Sequence, residues 1–264
     1  MTLTRTNYFD HPAVSQSSLK VLDKSPAHYH AEFVARTVPS KDTAALRRGT
    51  ALHAMLFEAD TFAERFPIFE GDKRTNEVKA RYADLEARAA SLGGCVIREA
   101  DLVDLHAMIA SLRANATIRH HLDRVVASEV PVVWTDPITG TECKAKLDAV
   151  TSDGFVLDLK STRDAAPSAF AKSIYNFGYH IQQAQYTDAA RVHLGAEPAG
   201  FALVVVEGSA PYVCAGYVLD DEAEARGRAK RIELLTRLQA CRESNSWPAY
   251  HEGFATIGLP KWAA

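Results

Sequence analysis

Two aspartates and a lysine in the run KAKLDAVTSDGFVLDLK, residues 144–160, are the residues whose types and spacing best suit chemistry. Asp148 precedes Asp158, and Lys160 follows after a single leucine. Two carboxylates and an ammonium gathered at the edge of an apolar sheet need compensation, and a divalent cation supplies it. Hard Mg²⁺ takes oxygen ligands from one or two carboxylates and fills its other positions with water and phosphate. A lysine beside such an ion could orient or deprotonate a water attacking that phosphate. The same spacing also fits a solvated hairpin face with an ordinary Asp–Lys pair.

The elements that must hold these groups can be read from periodicity. Alternation predicts strands over 144–150 and 155–161, joined by a tight turn at Ser152-Asp153-Gly154, where glycine supplies positive φ. Ala145, Leu147, Ala149, Phe155, Leu157 and Leu159 share the apolar parity, while Lys144, Lys146, Asp148, Asp158 and Lys160 share the polar one. A strand over 128–135 opens with Glu129, which is either a further carboxylate for the ion or an edge-strand charge. Downstream come a helix over 168–176, a break at Gly178 and a helix over 179–194. Gln182 and Tyr186 stand one turn apart on the last of these, as neutral donors for phosphate oxygens or as a plain polar flank. The nearly continuous apolar run 201–206 reads as a strand buried on both faces, parallel to the earlier strands through the helical crossover. A further strand over 212–219 and a long helix over 220–242 follow.

Upstream, 43–58 is strongly helical and carries Gly49 and His53 on one face. Glycine costs a helix roughly 1 kcal/mol against alanine, so Gly49 suggests close approach by a backbone or a ligand. His53 taken alone reads as an ordinary helix histidine. Amphipathic helices over 75–91 and 99–115 are core packing, 62–71 is a connector, and 39–42 a charged linker. In the first 40 residues, Ser15 and Ser25-Pro26 open short helices, docked by Tyr8, Phe9, Tyr29 and Phe33. Trp247-Pro248 and Lys261-Trp262 mark the tail.

The totals fit this reading. With 264 residues, 47% of them hydrophobic, the chain can build a core without staples. Its formal charge of −3 excludes a basic nucleic-acid coat, though not a nuclease whose bound ions bring positive charge to the phosphate. Cys95, Cys143, Cys214 and Cys241 are too scattered for a zinc or iron–sulfur framework and read as small buried hydrophobes. No apolar run reaches the roughly eighteen residues of a membrane span, so a cytoplasmic protein with no membrane partner is expected.

In this order, Gly49-Thr50-Ala51-Leu52-His53, Asp148, Asp158-Leu159-Lys160 and Gln182-x-x-x-Tyr186, with Ser15-Gln16-Ser17-Ser18-Leu19, Ser25-Pro26 and Trp247-Pro248 in support, resemble the nuclease domain of RecE-type exonucleases. These lie in the RecB-like branch of the PD-(D/E)xK nucleases. The resemblance implies an α/β fold, a mixed central sheet flanked by helices with a helical N-terminal region. Residues 1–125 would contribute one metal-ligand helix and 126–264 would form the nuclease core, in one compact unit. It implies His53, Asp148, Asp158 and the Leu159 carbonyl as metal ligands, with Glu129 ranked lower. Lys160 would orient or activate water, and Gln182 and Tyr186 would serve catalysis and hold DNA together with Arg48, Lys146 and Arg163. Arg47, Lys144 and Lys172 are further candidates for phosphate contact. The implied activity is Mg²⁺-dependent 5′→3′ digestion of one strand of linear duplex DNA, Mn²⁺ substituting and one or two ions per site. It leaves 3′ single strands for a RecT-like annealing partner, in a homotetrameric ring and a phage or prophage setting. The alternatives are another PD-(D/E)xK endonuclease or repair nuclease, and an inactive DNA-binding scaffold.

Overall fold

The computed structural model describes residues 7–39, 43–70 and 74–259. Most of the 39–42 linker and the Lys261-Trp262 pair lie outside the described residues. The N-terminal helices are α1 (Gln16–Lys24) and α2 (Pro26–Tyr29), the latter continued by one π-helical turn. Then come α3 (Ala44–Phe57), α4 (Ala59–Arg65), α5 (Asn76–Ser91), α6 (Glu99–Ala114) and α7 (Ala116–Leu122). The remainder is β1 (Val125–Thr135), β2 (Glu142–Thr151), β3 (Phe155–Thr162), α8 (Pro167–Phe177), α9 (Tyr179–Leu194), β4 (Gly200–Glu207), β5 (Cys214–Tyr217) and α10 (Asp221–Ser244). Among the described residues no helix is long and apolar enough to cross a membrane.

Local chemistry explains the helix starts that matter for the site. Ser15 and Ser18 form a reciprocal capping box on α1, and Ser25 caps α2 with Pro26 in the first turn. The Thr43 hydroxyl accepts the Leu46 N–H and so fixes where α3, the helix bearing His53, begins. Between α8 and α9 the backbone turns through Gly178 at φ 69°, a left-handed conformation that glycine adopts without Cβ strain.

The five strands lie in the order β1-β2-β3-β4-β5. β1, β2 and β3 are an antiparallel meander, β4 pairs parallel to β3 through the α8–α9 crossover, and β5 returns antiparallel. A mixed central sheet flanked by helices is thus the architecture, as the resemblance implied. One face packs against α1, α9 and α10 through Leu22, Ile181, Leu234 and Leu238. The other packs against α3, α6 and α7 through Leu52, Leu105, Met108 and Ile118. Trp247 stacks on Tyr29 at 5.9 Å and ties the chain's end to the first helices.

Several expectations are corrected. Ala145, Leu147 and Ala149 share a parity, yet the first two join the α9 side of the core and Ala149 the α3 side. The alternation breaks at Asp148, and the facing strand breaks at Glu129, whose φ of 51° is left-handed. Gly49 is not closely approached: a Cβ there would meet nothing within 4 Å. The 62–71 connector overlaps a short helix, α4, closed by an Arg65–Glu58 ion pair at 2.6 Å. A second unanticipated helix, α7, starts where Asn115 accepts two backbone N–H groups. The strand expected over 212–219 is confined to Cys214–Tyr217.

Candidate metal centre

The site forms where two strands part. The ladder between β2 and β3 holds only Ala149 opposite Leu157 and Val150 opposite Val156. Beyond it, the Leu159 N–H donates to Asp148 Oδ2 at 2.9 Å instead of to the neighbouring strand. Val14 of the N-terminal arm takes up the backbone edge of β2 that β3 leaves: its N–H donates to Glu142 and its carbonyl accepts from Lys144. This fork lets carboxylates sit inside the sheet without breaking its hydrogen bonding.

Four elements bring side chains to the fork. Asp148 comes from β2, Asp158 from β3, Glu129 from β1 and His53 from α3, which is also tied to β1 by Ser128 donating to the Phe57 carbonyl at 3.0 Å. Ligand atoms of His53, Glu129 and Asp148 all lie within 4.8 Å of one another. His53 Nδ1 is 3.3 Å from Asp148 Oδ2 and 3.8 Å from Glu129 Oε1. Its Nε2 donates to the Leu159 carbonyl at 3.1 Å, which fixes the ring and presents Nδ1 to the carboxylates. Leu159, expected only as an oxygen donor, therefore orients two other groups, with one carbonyl lone pair to spare. Glu129 and Asp148 are buried, and Asp158 is fully buried.

Asp158 lies outside that threesome and anchors the adjoining end. Its Oδ1 accepts from Gln182 Nε2 at 2.9 Å, and its Oδ2 pairs with the Lys160 ammonium. The ammonium rests 4.8 Å from the centre of the Tyr179 ring, a cation–π contact. Tyr186 is one turn beyond Gln182, its ring edge-on to Phe201 at 6.4 Å. Gln182 therefore holds a carboxylate in this structure.

Charge explains why the cluster suits a cation. Burial pushes the Asp148 carboxyl up to about 6, with the Asp158 charge adding and the His53 charge opposing. Burial also pushes Glu129 up, but hydrogen bonding to His53 and the Lys146 charge outweigh it and hold it at about 2. For His53, burial acts downward and the Asp148 and Glu129 carboxylates more than reverse it. Burial lowers Lys160 and the Asp158 charge more than restores it. Burial raises the Tyr186 hydroxyl well above its ordinary value, and the Asp148 and Asp158 charges add to this. Three carboxylates thus face only two lysine cations, Lys146 and Lys160, placed around the position a divalent ion would take. The left-handed backbone of Glu129, which costs a non-glycine residue on the order of 1 kcal/mol, aims one of those carboxylates inward. Three carboxylates and one imidazole nitrogen fit Mg²⁺ or Mn²⁺.

The expected DNA-contact residues fare differently. Lys146 pairs with Glu129, and Arg48 pairs with Asp104 at 3.0 Å. Arg47 pairs with Glu86. Arg163 and Lys172 are exposed. Lys144 does not face solvent as alternation suggested. It is buried, and its ammonium donates to the Tyr8 and His11 carbonyls at 2.6 and 2.7 Å, pinning the arm. Tyr8, which this contact places near Glu129 and Asp148, was given only a packing role by sequence reasoning, because nothing local in the sequence signals a contact spanning some 136 positions. Tyr179 meets Lys160 only through the fold, since one sits on α9 and the other on β3.

A family model described as a PDDEXK-like domain of unknown function (DUF3799) matches residues 15–258. Among solved structures, a Eubacterium rectale protein provisionally named an exonuclease aligns over 98% of this chain and 97% of its own, at 14% identity and a TM-score of 0.66. At that identity the likeness shows the fold. LHK-Exo, solved in complex with dAMP, aligns over 76% of this chain and 96% of its own at 17% identity, with a TM-score of 0.27 too low to argue from. No curated protein matches the sequence.

Proposed function

We infer that this chain, which belongs to the PDDEXK-like domain family and hence to the PD-(D/E)xK nuclease superfamily, is a divalent-metal-dependent exonuclease acting on the ends of linear duplex DNA. The observation that carries the reading is the fork itself: His53, Glu129 and Asp148 converge on one point, and Asp158 with Lys160 adjoins it.

In this reading His53, Glu129, Asp148 and Asp158 hold the ion. When bound, such an ion neutralises charge on the phosphate and makes a coordinated water acidic enough to attack it. Lys160, steered by Asp158 and by the Tyr179 ring, orients the water or donates to a phosphate oxygen. Gln182 fixes the Asp158 carboxylate, so that Lys160 has one position to occupy, and Tyr186 backs the same wall. Lys146 and Arg163 offer charge to the DNA backbone. The resemblance to RecE-type exonucleases supports the finer points: 5′→3′ polarity, a 3′ single-stranded product for a RecT-like annealing partner, a homotetrameric ring and a phage or prophage setting.

The test is digestion of a 5′-end-labelled linear duplex and of a covalently closed circle, each with Mg²⁺ or with a chelator. Ordered loss from the 5′ ends of the linear DNA, none from the circle and none in chelator is the expected result. Asp158→Asn should abolish release while leaving the circular dichroism spectrum unchanged. Release that persists in that variant or in chelator would overturn the assignment.

A further inference from the structure

Resting on the nuclease reading, we propose that the groove that opens beside the Lys160–Tyr179 pair and runs past α8 is a track for an unpaired DNA strand, with Phe177 as its stacking platform and Arg163 as a phosphate contact. The groove meets the centre at Tyr179, which lines it and carries the Lys160 ammonium over its ring. Arg48 and Ala51 line it five and two residues before His53 on α3, and Ser161 to Arg163 line it where β3 ends, directly after Lys160. Its volume of about 1460 Å³ exceeds the roughly 300–1,000 Å³ that encloses a single small molecule, so it suits a length of polymer.

Charge identifies an anionic polymer. Arg47, Arg48, Arg98 and Arg163 line the groove against one lining acid, Asp101, in a chain whose overall balance is −3. Arg47, Arg48 and Arg98 are braced by Glu86, Asp104 and Asp101, whereas Arg163 makes no ion pair among the described residues. A cation left exposed at the end of a strand that leads out of the centre is available to a phosphate.

Aromatic faces identify the strand as unpaired. The Lys160 ammonium lies over Tyr179, the Tyr179 ring is 5.7 Å from Phe177, and Phe177 is 48% exposed with the Lys20 ammonium 4.9 Å from its centre. The row leads outward from the catalytic lysine. Across the groove, Phe69 and Tyr82 meet edge to face at 5.1 Å. Duplex DNA shows such a wall only sugars and phosphates, since its base faces are stacked on one another. A single strand offers π-faces to exposed aromatic rings and phosphates to the arginines between them.

The test uses the full chain in chelator, so that no cleavage intervenes, and follows the fluorescence anisotropy of labelled oligo-deoxythymidylate. Saturable, salt-sensitive binding is expected, with unlabelled oligo-deoxythymidylate competing far better than a closed duplex circle. Phe177→Ala should weaken it roughly tenfold, while Phe177→Tyr retains it. Arg163→Ala should weaken it several-fold and reduce the salt slope by about 0.7. Thermal melts of each variant close to wild type establish that folding is intact. Wild-type affinity in both Phe177→Ala and Arg163→Ala, or equal competition by the duplex circle, overturns the track. The two readings fail separately. If the chain is no nuclease, the strand still binds through Phe177 and Arg163 without nucleotide release in Mg²⁺. If the track is wrong, linear duplex is digested while Phe177→Ala changes neither binding nor rate.

Discussion

Replacing Arg231 with alanine should remove the strongest polar tie behind the metal centre. The Arg231 guanidinium, 3% exposed on α10, donates to Asp136 at 2.8 Å in the β1–β2 turn and to Asp188 at 3.0 Å on α9. Its Nε donates to Gln185 Oε1 at 2.6 Å, and Gln185 in turn donates to the carbonyls of Val14 and Lys144. One cation therefore joins α10, α9, the β1–β2 turn and the arm, on the side of α9 that fixes where Gln182 stands. Truncation leaves the buried Asp136 charge with the Ile138 and Thr139 donors alone and strands the Gln185 oxygen. Asp188, partly exposed, recovers hydration and contributes little. Breaking a buried pair from one side costs about 3–5 kcal/mol. For a chain of this size that corresponds to a fall in Tm of roughly 10 °C. Urea unfolding followed by circular dichroism, with Asp136→Asn added to complete a double-mutant cycle, measures it. The double variant should lose less than the sum of the single losses, because removing both charges leaves neither unpaired. A single-variant loss under about 1 kcal/mol, or strict additivity, would refute the tie as drawn.

Acid stability should follow the same pair. Burial pushes the Asp136 carboxyl up, but hydrogen bonds from Thr139 and the Arg231 charge hold it below the ordinary carboxylate range. Its stabilisation is thus complete above an unfolded value near about 4 and is lost as pH falls through the lower folded value, so Asp136→Asn should flatten the acid limb of stability against pH in urea titrations. Gly227→Ala and Gly49→Ala, both mid-helix, should move Tm in opposite directions. A Cβ at Gly227 would stand 2.2 Å from the His180 carbonyl oxygen, an overpacking cost of about 1–3 kcal/mol that exceeds the roughly 1 kcal/mol helix gain. Open space at Gly49 leaves only the gain. His53→Ala should weaken Mn²⁺ binding at least about tenfold by calorimetry, and unchanged affinity would remove His53 from the ligand set.

The sequence alone determined the parts whose cause is local. Alternation in 144–161 placed both aspartates and the lysine on strands, turn chemistry at Gly154 paired those strands, and the 201–206 run lay parallel beside them. Helical spacing set Gln182 and Tyr186 on α9 and His53 on α3. Tertiary structure decided what those residues meet. The fork of β2 from β3 turns Asp148 toward the Leu159 N–H, the alternation breaks only beyond Leu147, and Lys144 is buried because the arm brings the Tyr8 and His11 carbonyls to its ammonium. Periodicity cannot show this, because the arm that fills the edge of β2 beside Lys144, through Val14, is far away in sequence. The convergence of His53 with Glu129, the seating of Lys160 on Tyr179 and the Arg231 tie are likewise long-range contacts among side chains whose own neighbourhoods look ordinary. Local sequence sets backbone direction and side-chain parity. Only packing decides which buried charges meet, since each is stable only once its partners from other elements have arrived.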